Sequence, residues 1–332
     1  MESFPVAQSP IAQELLASSD PSVVYKVRRE LLGEDPHSPA LPALQEQVRA
    51  SSRVKDLLAH RQADGTVPIH AYGKWQGPHW TLYSLAELGY PPGDRSLLPL
   101  FEQDYAWLLS PKFLKFPSTL VIPGQERKVR RCASQEGIAI YSAMVLGLAD
   151  ERTRLLVDRL LEFQWPDGGW NCDKRPQADM SSLLETVYPL RALAQYGRLT
   201  GNAAALAAAR RASEVLLERR LFRRRRDGAI IRPEFTEIVY PYYAHYSFFF
   251  ALKVLAEAGM ACDERCRDAL DLLESKRLPG GGFPLERKIF KISAATVTRG
   301  SNVGWGPAGK TRPNDFVTAD ALNILKMAGR FL

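Results

Sequence analysis

The chain has 332 residues, 45% of them apolar, with six Trp, twelve Tyr and fourteen Phe, which is enough bulk for a large buried core in one big domain or two small ones. Its formal charge is +7, its first twenty residues carry Glu2, Pro5, Gln8, Gln13 and Glu14 among short apolar runs, and nowhere is there an apolar stretch long enough to span a bilayer. That composition argues against a secretory signal and a transmembrane anchor, predicts a cytoplasmic protein, and leaves four cysteines (Cys132, Cys172, Cys262, Cys266) that are too few and too scattered for a disulfide framework or a zinc ribbon.

Hydrophobic periodicity predicts twelve helices that alternate between two types. In chain order, segments with charged and aliphatic residues at helical spacing fall near 9–18, 41–62, 96–109, 151–164, 203–220 and 263–276. Between them come segments that are apolar or aromatic all round, near 21–33, 78–90, 135–148, 181–197, 241–259 and 314–330. A helix apolar on every face needs cover from both sides, so a ring of six inner helices inside a ring of six outer ones satisfies both sets. The expectation is an all-α (α/α)6 toroid, with residues 1–332 as one domain and residues 1–40 as the N-terminal hairpin that closes the ring.

A repeated turn supports the same layout. Gln164-Trp165-Pro166-Asp167-Gly168-Gly169-Trp170 stands in front of an inner segment, and weaker copies occur at Gln62-Ala63-Asp64-Gly65, at Arg226-Asp227-Gly228 and at Leu278-Pro279-Gly280-Gly281-Gly282-Phe283, with a plainer Pro123-Gly124 in the gap. The copies lie roughly 45–60 residues apart, the size of a helical pair plus a loop. Asp-Gly-Gly tolerates positive φ, so the chain can reverse sharply, while Gln164 and Trp170 can pin the turn through amide hydrogen bonds and ring packing.

The segment 164–170 resembles the QW repeat of squalene–hopene and oxidosqualene cyclases. The run Gly304-Trp305-Gly306-Pro307-Ala308-Gly309-Lys310-Thr311-Arg312-Pro313-Asn314-Asp315-Phe316 is similar to the segment of protein prenyltransferase β-subunits in which a Pro-Gly-Lys turn leads into the last inner helix. The resemblance covers residues 50–330 in organisation and implies an α/α toroid of the terpenoid cyclase and prenyltransferase superfamily. It does not by itself imply either chemistry. The Asp-x-Asp-Asp proton source of the cyclases and the Asp-Asp-x-x-Asp magnesium site of terpene synthases are both absent. Where the prenyltransferases place Asp-x-Cys and a His around zinc, this chain has Asp179-Met180-Ser181 and Val317, and neither a hydroxyl nor an isopropyl group replaces such ligands. Val317-Thr318-Ala319-Asp320 is faintly similar to an acidic element of the oxidosqualene cyclases, but its leading acid position is Phe316. No metal and no cofactor is therefore expected.

What remains is the cavity and its mouth. The long connections before inner helices (66–77, 110–134, 171–180, 221–240 and 284–313) should emerge on one face, and they carry a basic rim that includes Lys112, Lys115, Arg127, Arg131, Lys174, Arg175, Arg223 to Arg226, Arg287, Lys310 and Arg312. Such a rim suits an anion, or is simply a solvated face. Without a nucleic-acid-binding signature, nucleic acid is not the expected partner. Arg131, Lys310 and Arg312 are the candidate head-group contacts, and Trp80, Tyr83, Tyr242 and Tyr246 are candidate walls of a central aromatic cavity, although aromatic stripes at helical spacing more often pack as core.

Polar residues at the starts of inner helices are the candidate catalytic groups. Asp179, Glu185 and Asp315 would supply carboxyls and His79 and His245 proton carriers, since an acid in a poorly hydrated aromatic pocket has its pKa raised. Each has a structural alternative: Asp179 and Asp315 can cap helices, Glu185 can bond a neighbouring helix, and a lone histidine is commonly a satisfied core residue. The functional expectation is an isoprenoid or other apolar anionic small molecule, bound or transformed by lyase, isomerase or transferase chemistry. Carbohydrate chemistry with paired carboxylates, or a non-catalytic scaffold, stays open beside it, as does the oligomeric state.

Overall fold

The computed structural model describes residues 8–114, 121–122 and 124–331; Lys115 of the basic rim and Pro123 of the plain turn lie outside them, as does the side chain of Arg127. Helices dominate. They are α1 (Pro10–Leu16), α2 (Pro21–Lys26, continued by a π-helical turn Val27–Leu31), α3 (Ala40–Ala50), α4 (Ser52–Leu57), α5 (Pro78–Leu88), α6 (Leu98–Leu108), α7 (Pro111–Leu114), α8 (Ala133–Val145), α9 (Glu151–Glu162), α10 (Leu183–Thr200), α11 (Ala203–Leu217), α12 (Phe248–Glu257), α13 (Arg267–Ser275) and α14 (Asp315–Met327). Two short strand pairs, Val121–Ile122 with Gln125–Val129 and Lys291–Ile292 with Gly300–Ser301, sit in long connections.

Local chemistry starts these helices where the chain needs them. Proline occupies the first turn of α1, α2, α5 and α6, where no backbone N–H is required. Side chains of Ser9, Asp20, Ser51, Asp150, Ser182, Asn202, Ser247 and Asn314 accept from the first free amides of the helices they precede. Ser51 explains a departure from expectation: the segment 41–62 is two helices, because Ser51 turns extended (ψ 153°) to cap α4. The inner segment near 241–259 likewise becomes helical only from Phe248, after the Ser247 cap.

Burial separates the two layers. Every residue of α5 is buried, as is α12 from Phe248 to Ala256, whereas α9 buries only Thr153, Leu156, Val157 and Leu160, one stripe of an amphipathic helix. The inner helices touch in cyclic order, α2 to α5 to α8 to α10 to α12 to α14, and α14 returns to α2. The molecule is thus an all-α toroid, with α3, α6, α9, α11 and α13 packed outside α2, α5, α8, α10 and α12, and α1 laid against α2 and α14. α8 and α10 approach closely, since a Cβ on Gly137 would stand 2.7 Å from the Pro189 nitrogen. Among the described residues no helix is long and apolar enough to cross a membrane.

The repeated turn is one backbone device used three times. Trp165 N–H donates to the Gly169 carbonyl (2.8 Å) and Gly168 N–H to that of Trp165 (2.9 Å). The same pair recurs as Gln62 to Thr66 (2.8 Å) with Gly65 to Gln62 (2.9 Å), and as Leu278 to Gly282 (2.9 Å) with Gly281 to Leu278 (2.8 Å). The glycines have φ of 98°, 83° and 84°, values that only glycine adopts cheaply. In the fullest copy Gln164 Nε2 donates to Gly168 O (2.7 Å) and to Ala208 O on α11 (2.9 Å), the Trp170 indole donates to Leu160 O on α9 (3.2 Å), and Asp167 accepts from the Ser181 amide (2.8 Å) and hydroxyl (2.6 Å). One turn therefore joins two outer helices to the entrance of an inner one.

Candidate functional site

The axis of the toroid holds side chains in place of the expected aromatic hollow. The Trp75 ring stacks on Tyr243 at 4.8 Å and meets Trp80 edge-on at 4.6 Å, Tyr242 stacks on Phe250 at 4.6 Å, and Tyr240 on Phe316 at 5.3 Å. Trp80, Tyr83 and Tyr242 are only 0–2% exposed, so each is packed among other side chains. Aromatic faces gain more from one another than from a void, which would forfeit their dispersion contacts.

Below this aromatic layer lies a closed cluster of charge. Arg191 of α10 grips Glu257 of α12 through two hydrogen bonds (2.7 and 2.8 Å), pairs with Glu87 of α5, donates to the Tyr83 hydroxyl (3.0 Å) and lies 3.8 Å over the Tyr141 ring. Asp320 of α14 accepts from Lys26 of α2 (2.9 Å), Lys253 of α12 (2.9 Å) and the Tyr242 hydroxyl (2.5 Å). Glu30 completes it, 3.2 Å from Lys253 and 3.5 Å from Lys26. Although burial opposes ionisation, the Lys253 and Lys26 ammoniums hold the Asp320 carboxyl well below the usual range, and Arg191 and Lys253 hold Glu257 down at about 2. Sequence reasoning passed over this cluster. Its signal was charge set within otherwise apolar inner helices, such as Glu87 in α5, Arg191 in α10 and Lys253 in α12.

The connections from outer to inner helices form the loop face, and there a cleft of about 730 Å³ opens between the entrance of α10 and the segment leading to α12. Met180, Leu184, Ile231 and Phe235 give it an apolar floor, and Arg175, Arg219, Arg232 and Arg287 give it positive charge against Asp179 and Glu234. Arg175 pairs with Asp173 and Arg287 with Glu237. Arg219 is different: it is 8% exposed, donates to the backbone carbonyls of Val215 (2.8 Å) and Ser181 (3.5 Å), and among the described residues has no carboxylate within ion-pair distance. Burial lowers its pKa, with the Asp167 charge opposing, and Asp167 is itself held by Ser181.

His245 borders the same cleft. Its Nδ1–H donates to the Tyr243 carbonyl (2.5 Å), which leaves Nε2 as the basic nitrogen, and burial lowers its pKa further than that bond restores it, with Arg287, Arg299 and Lys74 adding to the lowering. Tyr246 forms part of the wall and donates to Leu221 O (2.5 Å).

Glu185 sits in the first turn of α10, 5% exposed. One oxygen accepts from the Ser134 amide on α8 (2.9 Å) and the other from the Cys172 thiol (3.3 Å). Burial raises its carboxyl above the usual range in spite of those bonds. The Cys172 thiol is pushed up as well, first by its hydrogen bond with Cys132 and then by burial, so two cysteines that stand isolated in the sequence are neighbours here. Burial pushes nearby Tyr72 up to about 12.

The other expected residues scatter. His79 is fully buried, with Nδ1 3.1 Å from the Asp104 carboxylate, in a nest of Tyr72, Trp80 and Trp107. Arg131 is no head-group contact: it is 3% exposed and forms a fork on Glu136, which Arg159 also reaches at 2.8 Å. Asp315 lies in a separate cleft with Asp20 and Arg53 and accepts from the Ser18 hydroxyl (3.4 Å), while Lys310 and Arg312 are exposed on the turn before α14. The structure thus brings Asp179, His245 and Tyr246 together in the cleft, turns Glu185 toward Ser134 and Cys172, and separates His79, Arg131, Asp315, Lys310 and Arg312 from the cleft.

No family model matches the sequence, and no curated protein matches it. Among solved structures, a protein from Actinoplanes is 16% identical with a TM-score of 0.42, covering 96% of this chain and 98% of its own. The GH76A alpha-1,6-mannanase from Salegentibacter sp. HEL1_6 is 10% identical at 0.42, with 97% of both chains covered. The type II terpene cyclase MstE from Scytonema, in complex with geranylgeranyl dihydroxybenzoate, is 17% identical at 0.27, covering 88% of this chain and 99% of its own.

Proposed function

We propose that this toroid binds a small amphiphilic anion in the loop-face cleft. The apolar part would lie along Met180, Leu184, Ile231 and Phe235, and the charged head would meet Arg219 and Arg232. The observation that carries the reading is Arg219, a buried guanidinium beside an open cleft that has, among the described residues, no carboxylate within ion-pair distance. A buried charge with no carboxylate in direct contact is costly, and an anionic ligand lowers that cost. The reading keeps Asp179, His245 and Tyr246 of the residues expected from sequence, adds Arg219 and Arg232, and moves the ligand from the axis to the rim. An isoprenyl diphosphate combines both features.

The test is thermal shift with farnesyl diphosphate, with and without magnesium. At a hundredfold excess over Kd a ligand confined to the native state adds about 2.7 kcal/mol, or roughly 4 °C for a chain of this size. Arg232→Gln, at an exposed position, and Arg219→Gln should each reduce that shift. If farnesyl diphosphate, geranylgeranyl diphosphate and oleate all leave Tm unchanged, or if both variants shift as the wild type does, the reading is wrong.

A further inference from the structure

Cys132 and Cys172 are forty residues apart in sequence and are brought together by two separate ties. The Arg131 amide donates to the Asn171 carbonyl (2.8 Å), so the residues just before the two cysteines are bonded backbone to backbone. Glu185 Oε2 accepts from the Ser134 amide, two residues past Cys132, while its Oε1 accepts from the Cys172 thiol. The Cys132 thiol also acts on that of Cys172, helping to push its pKa up. Both cysteines are partly exposed, so a small reagent can reach them. The other pair differs: Cys262 and Cys266 bond separately to the carbonyls of Met327 and Met260.

From this geometry we infer that Cys132 and Cys172 form a reversible dithiol site that exchanges with small-molecule disulfides such as glutathione disulfide, with Glu185 taking and returning the proton. Cys132, the thiol free of Glu185, attacks first: its proton leaves with one glutathione, and its sulfur becomes joined to the other. Cys172 then gives its proton to Glu185 while its sulfur attacks that of Cys132. The bond to glutathione breaks, and the departing thiolate recovers the proton. Two protein thiols and one glutathione disulfide become one protein disulfide and two molecules of glutathione, so atoms and electrons balance. A buried carboxylate with a raised pKa is a stronger base than an exposed one and suits this transfer. The new bond would join the segments that enter α8 and α10, two adjacent inner helices.

Peptide mapping of the full-length protein after incubation with glutathione disulfide tests this. The expected product is a cross-link between the peptides holding Cys132 and Cys172, lighter by about 2 Da than the two thiol peptides together and reversed by dithiothreitol. Recovery of both residues as separately alkylated thiols, under conditions that oxidise a control dithiol, overturns the inference. So does a separate glutathione adduct on each. Cys172→Ser should trap glutathione on Cys132, whereas Cys132→Ser should leave Cys172 a thiol; trapping on Cys172 in the latter overturns the order of attack. Glu185→Gln should slow disulfide closure and move its pH profile upward without changing the first adduct, and an unchanged profile would reduce Glu185 to a positioning residue.

Discussion

Replacing Asp320 by Asn tests whether the centre of the ring is the closed cluster described above. The side chain of Asp320 is fully buried and is the shared partner of Lys26 and Lys253, both 2% exposed. The amide would leave the two ammoniums with Glu30 and Glu257, which are 31% and 25% exposed, as their ion-pair partners among the described residues. Removing one partner from a buried charge cluster costs about 3–5 kcal/mol, because the remaining charge is desolvated without compensation. At roughly 2.1 cal/mol/K per residue the 332-residue chain has an unfolding entropy near 0.7 kcal/mol/K, so Tm should fall by about 4–7 °C. The difference should also depend on pH. The folded-state pKa of Asp320 is lowered, so its contribution is present above the unfolded value, about 3.9, and fades as pH falls below that value. Scanning calorimetry from pH 7 down to pH 3 reads both effects. A variant that melts within about 1 °C of wild type at pH 7 would refute the closed centre, since it would mean that water already solvates the two lysines.

Gly168→Ala and Gly201→Ala form a matched pair, because both glycines have positive φ but only Gly168 has no room: a Cβ there would lie 2.3 Å from Arg211 O, whereas nothing stands within 4 Å of one on Gly201. Gly201→Ala should cost about 1 kcal/mol and Gly168→Ala at least about twice that, read as denaturation midpoints at constant m; equal losses would mean the turn relaxes freely. Glu185→Gln carries the opposite pH signature to Asp320→Asn. A raised folded pKa means that Glu185 favours folding below the unfolded value and loses that contribution as pH rises through the folded one. The variant should therefore gain Tm relative to wild type between pH 4 and pH 7, and a constant offset would show that burial does not raise the carboxyl's pKa. Trp170→Ala, at a residue 0% exposed, should cost about 3–5 kcal/mol in chemical denaturation, and a loss under about 1 kcal/mol would deny the turn its role as a joint between layers.

The layered architecture was legible because it is written in short-range periodicity. Whether a segment is apolar on one face or on all faces decides whether it needs one neighbour or two, and that alone sorted α9 and α13 to the outside and α5 and α12 to the inside. The turn at 164–170 was legible for the same reason, since glycine's freedom at positive φ is a property of the residue and not of its surroundings. The site was not legible in this way. Trp80 and Tyr242 look alike in sequence whether they line a hollow or fill it, and only the convergence of five inner helices shows that Lys26, Arg191 and Lys253 are paired with Glu87, Glu257 and Asp320.

By itself, then, the amino-acid order determined the helical segments, their two classes, the reversals between them and hence a closed double ring. The tertiary structure alone decided where charge is compensated and where it is left over: Arg131 turned out to be matched by Glu136, Arg219 to face an open cleft, and Cys132 to meet Cys172 across the entrances of two helices. The physical reason is range. Periodicity and backbone preference act within a few residues, whereas ion pairing, desolvation and thiol contact depend on which distant segments are brought within a few ångströms of each other.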